Sequence, residues 1–158
     1  MYGCNSTYDD DLKCGVVYIP PVGTRYSHRD PYFEIQNEIF RFFSENKHCL
    51  LPRDWNARCG KLKDYVRIDD VISDSCELQD IHNEEGTIFN NFTLHNISLD
   101  RHHTDCVVNT YGTQLIDVCK NNMFLWNGRL FEDFLHPKLT CKNASAVDYF
   151  LSTSNVFE

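Results

Sequence analysis

Cys49-Leu50-Leu51-Pro52-Arg53-Asp54-Trp55-Asn56-Ala57-Arg58-Cys59-Gly60 is the stretch on which the fold turns. A short apolar run, Cys49-Leu50-Leu51, reads as a buried strand, and the Cys59-Gly60 turn closes the segment. Asp54 and Asn56 are two residues apart at the strand's end. In an extended chain they point the same way out of the pleat. A carboxylate beside an amide can hold a water or a metal-bound phosphate in fixed geometry.

Upstream, Gly15-Val16-Val17-Tyr18-Ile19 is rich in β-branched residues and stops at Pro20-Pro21, so it reads as a buried strand entering a turn. Asp30-Pro31 forms a helix start, with Asp as the cap and Pro at the first helical position. Tyr32, Ile35, Ile39, Phe42 and Phe43 make one apolar stripe behind it. The first half is therefore strand, helix, strand, with Asp54 and Asn56 at a strand end, where layered α/β folds gather ligand sites.

Downstream, residues 67–103 are acidic and weakly patterned and read as a long surface loop. Asn109 caps a second helix carrying Tyr111, Leu115, Val118 and Cys119 on one face and ending at Asn121-Asn122. Met123-Phe124-Leu125-Trp126 reads as a strand, followed by an Asn127-Gly128 turn. Leu139-Thr140-Cys141 and Ala146 to Leu151 read as two more strands. The last is apolar on both faces, hence central, and it carries Asp148. A carboxylate there is costly to bury without a partner. It is either a hydrogen-bonded core Asp or a group orienting a site. Residues 1–13 read as a loose leader ahead of the domain at 14–158.

Composition bounds the function. A chain of 158 residues makes one domain or a large piece of one, and at this size about 68–70% of the unfolded surface can be buried. Aromatic residues at 13% argue against disorder. No run approaches a membrane span, and the polar, acidic start has no apolar secretory core. An intracellular protein is expected, nuclear or cytoplasmic and not secreted. The eight cysteines show no CxxC spacing and read as mostly reduced, buried thiols rather than disulfides or zinc ligands. The glycosylation-like triplets at Asn5, Asn91, Asn96 and Asn143 are then chance matches. The formal net charge of −8 opposes non-specific nucleic-acid binding, leaving a local basic groove or a bound metal as the route to it. Arg25, Arg29, Arg53, Arg58 and Arg129 line such a groove or sit in solvent. Tyr18 reaches a phosphate oxygen or simply packs. His102-His103 beside Asp105 and Cys106 lacks a second ligand pair with zinc-site spacing.

Val16-Val17-Tyr18-Ile19-Pro20-Pro21, Asp54-Trp55-Asn56-Ala57-Arg58, Asn127-Gly128-Arg129 and Ser145-Ala146-Val147-Asp148-Tyr149 together resemble the endonuclease/exonuclease/phosphatase superfamily. The nearest likeness is to its retrotransposon-type endonuclease branch. There Tyr-Ile-Pro-Pro, Gly-Asp-Phe-Asn-Ala-Arg, Asn-Gly-Arg and Ser-x-x-Asp-Tyr occur in this order. Asn109-Thr110-Tyr111-Gly112 and Leu115-Ile116-Asp117-Val118-Cys119 fit the helix before Asn-Gly-Arg. The likeness runs from about Cys14 to Phe157.

The resemblance implies an α/β fold of two sheets sandwiched between helices. It also implies Mg²⁺-assisted phosphodiester hydrolysis on nucleic acid. Asp54 would activate or position the attacking water, Asn56 would orient it and the phosphate, Tyr18 would contact the phosphate, and Asp148 would orient a catalytic His. The family's early metal-binding Glu and closing Ser-Asp-His are not matched here, and Arg53 stands where the family has Gly. The expectation is a partial sandwich lacking its first and last core strands, with weak or no activity alone. Its exposed sheet edges would then be open to self-association. The alternative is a non-catalytic interaction module built on the same scaffold.

Overall fold

The computed structural model describes residues 12–26, 30–44, 48–66, 92, 94–121, 123–129, 139–142 and 144–153, with backbone only for 42–44. Among the described residues, five strands and two helices with defined ends follow in the order β1 (Leu12–Cys14), β2 (Val17–Tyr18), α1 (Pro31–Ser44), β3 (His48–Asp54), α2 (Thr110–Lys120), β4 (Met123–Leu125) and β5 (Asp148–Thr153). They form one mixed sheet in the order β1-β3-β5-β4, with β2 also on β3. β1 and β2 run parallel to β3, and β5 is antiparallel to both β3 and β4. No second sheet occurs among the described residues.

Both helices begin where short polar side chains can cap them. Asp30 Oδ1 accepts from the Phe33 N–H at 3.1 Å, ahead of Pro31. Asn109 Oδ1 accepts from Gly112 N–H at 2.7 Å. Tyr32 and Ile39 are buried and Ile35 partly so. The side chains of Phe42 and Phe43, expected on the same stripe, lie outside the described residues. In α2, Tyr111, Leu115, Ile116, Val118 and Cys119 are buried.

The two faces of the sheet differ. Cys49, Leu51, Tyr149, Leu151, Met123 and Leu125 pack with both helices into the main core. Each fully buried Leu there (Leu115, Leu125, Leu151) contributes about 1.5–3 kcal/mol. The opposite face carries a smaller aromatic cluster of Tyr65, Phe92, Phe124 and Trp126. Toward the β1–β2 edge that face is uncovered: Leu12 is 40%, Val16 69% and Tyr18 66% exposed.

That edge departs from the buried strand expected over Gly15–Ile19. The register is continuous, from Leu12↔His48 to Tyr18↔Asp54, but the ladder breaks at Gly15-Val16. Leu50 and Asp54 accept on this side from the N–H groups of Gly15 and Ile19. Pro52 faces the same side between them and has no N–H to give. Pairing therefore lapses opposite it, and an interior strand tolerates its proline because the neighbour is interrupted there. Only Ile19 of the segment is fully buried.

Other expectations shift as well. β1 reaches back to Leu12, within the expected leader. Leu139-Thr140-Cys141 forms no strand. It enters a tight turn closed by the Cys141↔Ser145 bridge and an Ala144 N–H to Cys141 O bond, with Lys142 at φ 48°. A turn that short leaves no room for a paired strand. Cys141 is consequently exposed, as are Cys14 and Cys106, whereas Cys49, Cys59 and Cys119 are buried free thiols. Cys4 and Cys76 lie outside the described residues. So does most of the acidic 67–103 segment; its end is packed rather than loose, with Phe92 fully buried. No helix among the described residues is long and apolar enough to cross a membrane.

Candidate functional site

Tyr18, Asp54 and Asp148 stand in one row across three strands. Tyr18 pairs with Asp54 between β2 and β3, and Asp54 with Asp148 between β3 and β5. Directly paired residues project from the same face, with Cβ atoms about 4.5–5.5 Å apart in an antiparallel pair. The row lies on the face away from the helices, and both carboxylates are half-buried. Asp148 opens β5 instead of sitting mid-strand. Its carboxylate thus keeps contact with water and avoids the burial cost expected from the sequence. No hydrogen bond or ion pair to it occurs among the described residues.

Asn56 reaches the row by a different route from strand alternation. β3 ends at Asp54, and Asn56 adopts φ 47°, a left-handed conformation that Asn tolerates. Its N–H donates to Asp54 Oδ1 at 2.9 Å, an Asx turn that orients the carboxylate. Its side-chain Nδ2 donates to Ile19 O at 2.6 Å, tying the turn to the end of β2. One amide hydrogen is thereby committed, and its Oδ1 remains to accept from a water.

Trp55 between them is fully buried. Its N–H donates to Val147 O at 2.9 Å, and its carbonyl accepts from Tyr32 O–H at 2.7 Å. Burial pushes the Tyr32 hydroxyl far above the usual tyrosine range, so it stays protonated as a donor. The anchor holds the β3 end against α1 while the polar neighbours face outward.

The loop after the row is held by charge. Arg58 Nε and Nη2 donate to Asp105 at 2.9 and 2.7 Å, and Asp105 also accepts from the N–H groups of Val107 and Ala146. The Arg58 hydrogen bond, helped by those amides, lowers the Asp105 carboxyl to about 2. Asn109 adds two bonds, accepting from Arg58 N–H and donating to Asn56 O. Asp105 and Asn109 thus join the start of α2 to the Asp54 turn, a role the sequence did not disclose.

Beneath Asp148, Thr140 Oγ1 accepts from the N–H groups of Val147 and Asp148. Asn127 Nδ2 donates to Asp148 O at 3.0 Å, and its Oδ1 accepts from Phe150 N–H at 2.8 Å. The Asn-Gly signal marked this place as a turn but not as a clamp on β5. Gly128 follows at φ 84°, where a Cβ would lie 2.5 Å from His102 O.

Of the arginines offered for a phosphate groove, Arg129 belongs to the interior. It is 9% exposed, bonds both oxygens of Asp64 at 2.7 and 2.9 Å, and donates to Ser98 O and Leu99 O. Arg58 is committed to Asp105. Arg53 and Arg25 are exposed, and Arg29 lies outside the described residues.

Two half-exposed carboxylates with solvent access fit the way Mg²⁺ is usually held, through one or two carboxylates, waters and substrate phosphates. Among the described residues no group of three or more His, Cys, Asp or Glu is arranged around a metal position. Any metal there would need ligands from water and substrate. Comparisons with protein-family models, curated proteins and solved structures gave no match.

Proposed function

We propose that this chain carries a phosphodiester-hydrolysing site of the retroelement endonuclease type, weak or inactive as it stands. The observation that carries this reading is the Tyr18–Asp54–Asp148 row with Asn56 turned onto Asp54. Asp54 holds the attacking water, one oxygen fixed by the Asn56 N–H and the other facing the ligand. Asn56 accepts from that water through Oδ1. Tyr18, exposed at the rim, donates its O–H to a phosphate oxygen. Asp148, paired with Asp54 across β3 and β5, is the second carboxylate of the row. Mg²⁺, held by Asp54 and Asp148, would stabilise charge developing on the phosphate. Weak activity follows because the metal-binding Glu and the His that the resemblance requires have no match in these residues. The two-sheet sandwich belongs to the same proposal, and its support is the uncovered apolar face at Leu12, Val16 and Tyr18.

Plasmid nicking with Mg²⁺ tests the proposal. Slow nicking abolished by Asp54→Ala supports it. Robust nicking indifferent to Asp54→Ala refutes the assigned site.

A second reading is a non-catalytic module that binds a partner, or a second copy, along the exposed β1–β2 edge. The exposed row Leu12, Val16 and Tyr18, on a sheet edge without a further strand partner among the described residues, favours it. Mg²⁺ titration followed by amide NMR separates the two. Shifts confined to Asp54, Asn56 and Asp148 support the hydrolytic site, and none at these residues supports the module.

A further inference from the structure

The backbone of the β1–β2 edge is arranged to accept another strand. The N–H groups of Gly15 and Ile19 point inward, to Leu50 O and Asp54 O. Alternation along the extended chain therefore turns the N–H and C=O groups of Leu12, Cys14, Val16 and Tyr18 outward. No further strand pairs with them among the described residues. Such a row of strand groups is a template for a strand from another chain.

The side chains make this edge complementary to itself. Leu12, Cys14, Val16 and Tyr18 are all exposed and lie on the face away from the helices. Lys13 pairs with Cys49 of the main core, so it stands on the helix face, where it is exposed. Val17 is on that face too, packed against the core. It lines a cleft of about 410 Å³ together with Ile35, Ile39, Leu51 and two carboxylates of α1, Glu34 and Glu38. Among the described residues no lysine or arginine lines that cleft.

We propose that a second copy of this chain pairs antiparallel with the edge, about a two-fold axis through Gly15. The proposal rests on the reading that the β1–β2 edge takes a partner, and it names the partner and the register. A two-fold at Gly15 sets Leu12 opposite the partner's Tyr18 and Cys14 opposite the partner's Val16. The outward groups then meet in hydrogen-bonded pairs, and one apolar row runs across both copies. Gly15 meets its own equivalent in a non-hydrogen-bonded pair. Cα atoms there approach to about 4.5 Å, which suits a residue without a side chain. Lys13 stands opposite the partner's Val17, within reach of the acidic cleft. Glu38 already bonds Arg41 through Oε2 at 2.8 Å on the exposed side of α1, so the lysine adds a cation to that acid-rich rim. A foreign strand could satisfy the backbone alone. The lysine–glutamate match, made twice by the two-fold, favours a second copy. The interface is small, so the dimer is weak and concentration-dependent.

The test is sedimentation equilibrium of the whole chain in reducing buffer, from low micromolar to about millimolar concentration. Wild type is expected to exchange between monomer and dimer. Val16→Lys places a charge on an exposed edge position outside both cores and should weaken the dimer at least about tenfold. Lys13→Glu should weaken it as well, and adding Glu34→Lys and Glu38→Lys should restore it. Val16→Cys reads the register. Diamide, taking up the two thiol hydrogens, should join Cys14 to the partner's introduced thiol, since hydrogen-bonded pairs hold their Cα atoms about 5.5 Å apart. A monomer at every concentration, a dimer indifferent to Val16→Lys, or a crosslink that avoids Cys14 each overturns the proposal. A peptide of alternating valine and lysine separates that failure from failure of the edge reading. If the chain stays monomeric but the peptide shifts the amide signals of Cys14, Val16 and Tyr18, the edge takes strands and only self-pairing fails. If those signals do not move either, the edge reading fails with it.

Discussion

Arg53→Gly is expected to stabilise this protein. Arg53 sits in β3 at φ 111°, a region that favours glycine because any Cβ crowds the backbone there. Holding a non-glycine residue in such a region costs about 1–3 kcal/mol. Glycine returns part of that gain through its greater freedom in the unfolded chain, about 0.5–1 kcal/mol. The guanidinium is exposed, so removing it forfeits little packing. The net expectation is about 1 kcal/mol of added stability, or about 2–4 °C in Tm for a chain of this size. Urea unfolding of the purified variants, with m-values compared, measures it. Arg53→Ala is the control, because it removes the charge and length but keeps the Cβ. If Arg53→Ala matches Arg53→Gly, the backbone is not the source of strain and the reasoning fails.

Three other substitutions probe the joints around the site. Gly112→Ala places a Cβ 1.9 Å from Arg58 O, a backbone atom that cannot step aside, so about 3 kcal/mol or more should be lost in urea unfolding. Asp105→Asn breaks the pairing with Arg58 and should cost about 2–3 kcal/mol at neutral pH. The sign with pH follows from the lowered Asp105 carboxyl: its stabilisation is present above pH 4 and lost as pH falls toward about 2. Acid titrations of wild type and variant should therefore converge at the low end; a gap that stays constant with pH contradicts the assignment. Asn127→Ala leaves Asp148 O and Phe150 N–H without their clamp. A loss of about 1–3 kcal/mol is expected, with hydrogen exchange at Phe150 faster than at Leu151 if the opening is local.

Features governed by near neighbours were legible in the sequence. Asp30-Pro31 and Asn109 announce helix starts because their side chains reach N–H groups three residues on. Asn127-Gly128 announces a turn because it tolerates left-handed backbone. Asp54 was expected at the end of a strand and stands there. Arg129 was misjudged because its partner Asp64 lies 65 residues away, and no local pattern marks an arginine as interior. Gly15–Ile19 was read as buried because β-branched runs suit a central strand. Its place at an interrupted edge depends on Pro52, which meets it only through the parallel register.

The sequence by itself determined where the helices cap and where the Asn127-Gly128 turn falls, since those outcomes rest on side chains acting within a few residues. Only the tertiary structure decided which polar residues meet. Strand pairing set Tyr18, Asp54 and Asp148 level, an Asx turn brought Asn56 to Asp54, and the Arg58–Asp105 pair closed the loop beside them. Register is a cooperative property of the assembled sheet, and a slip of one residue would turn each of those side chains to the opposite face.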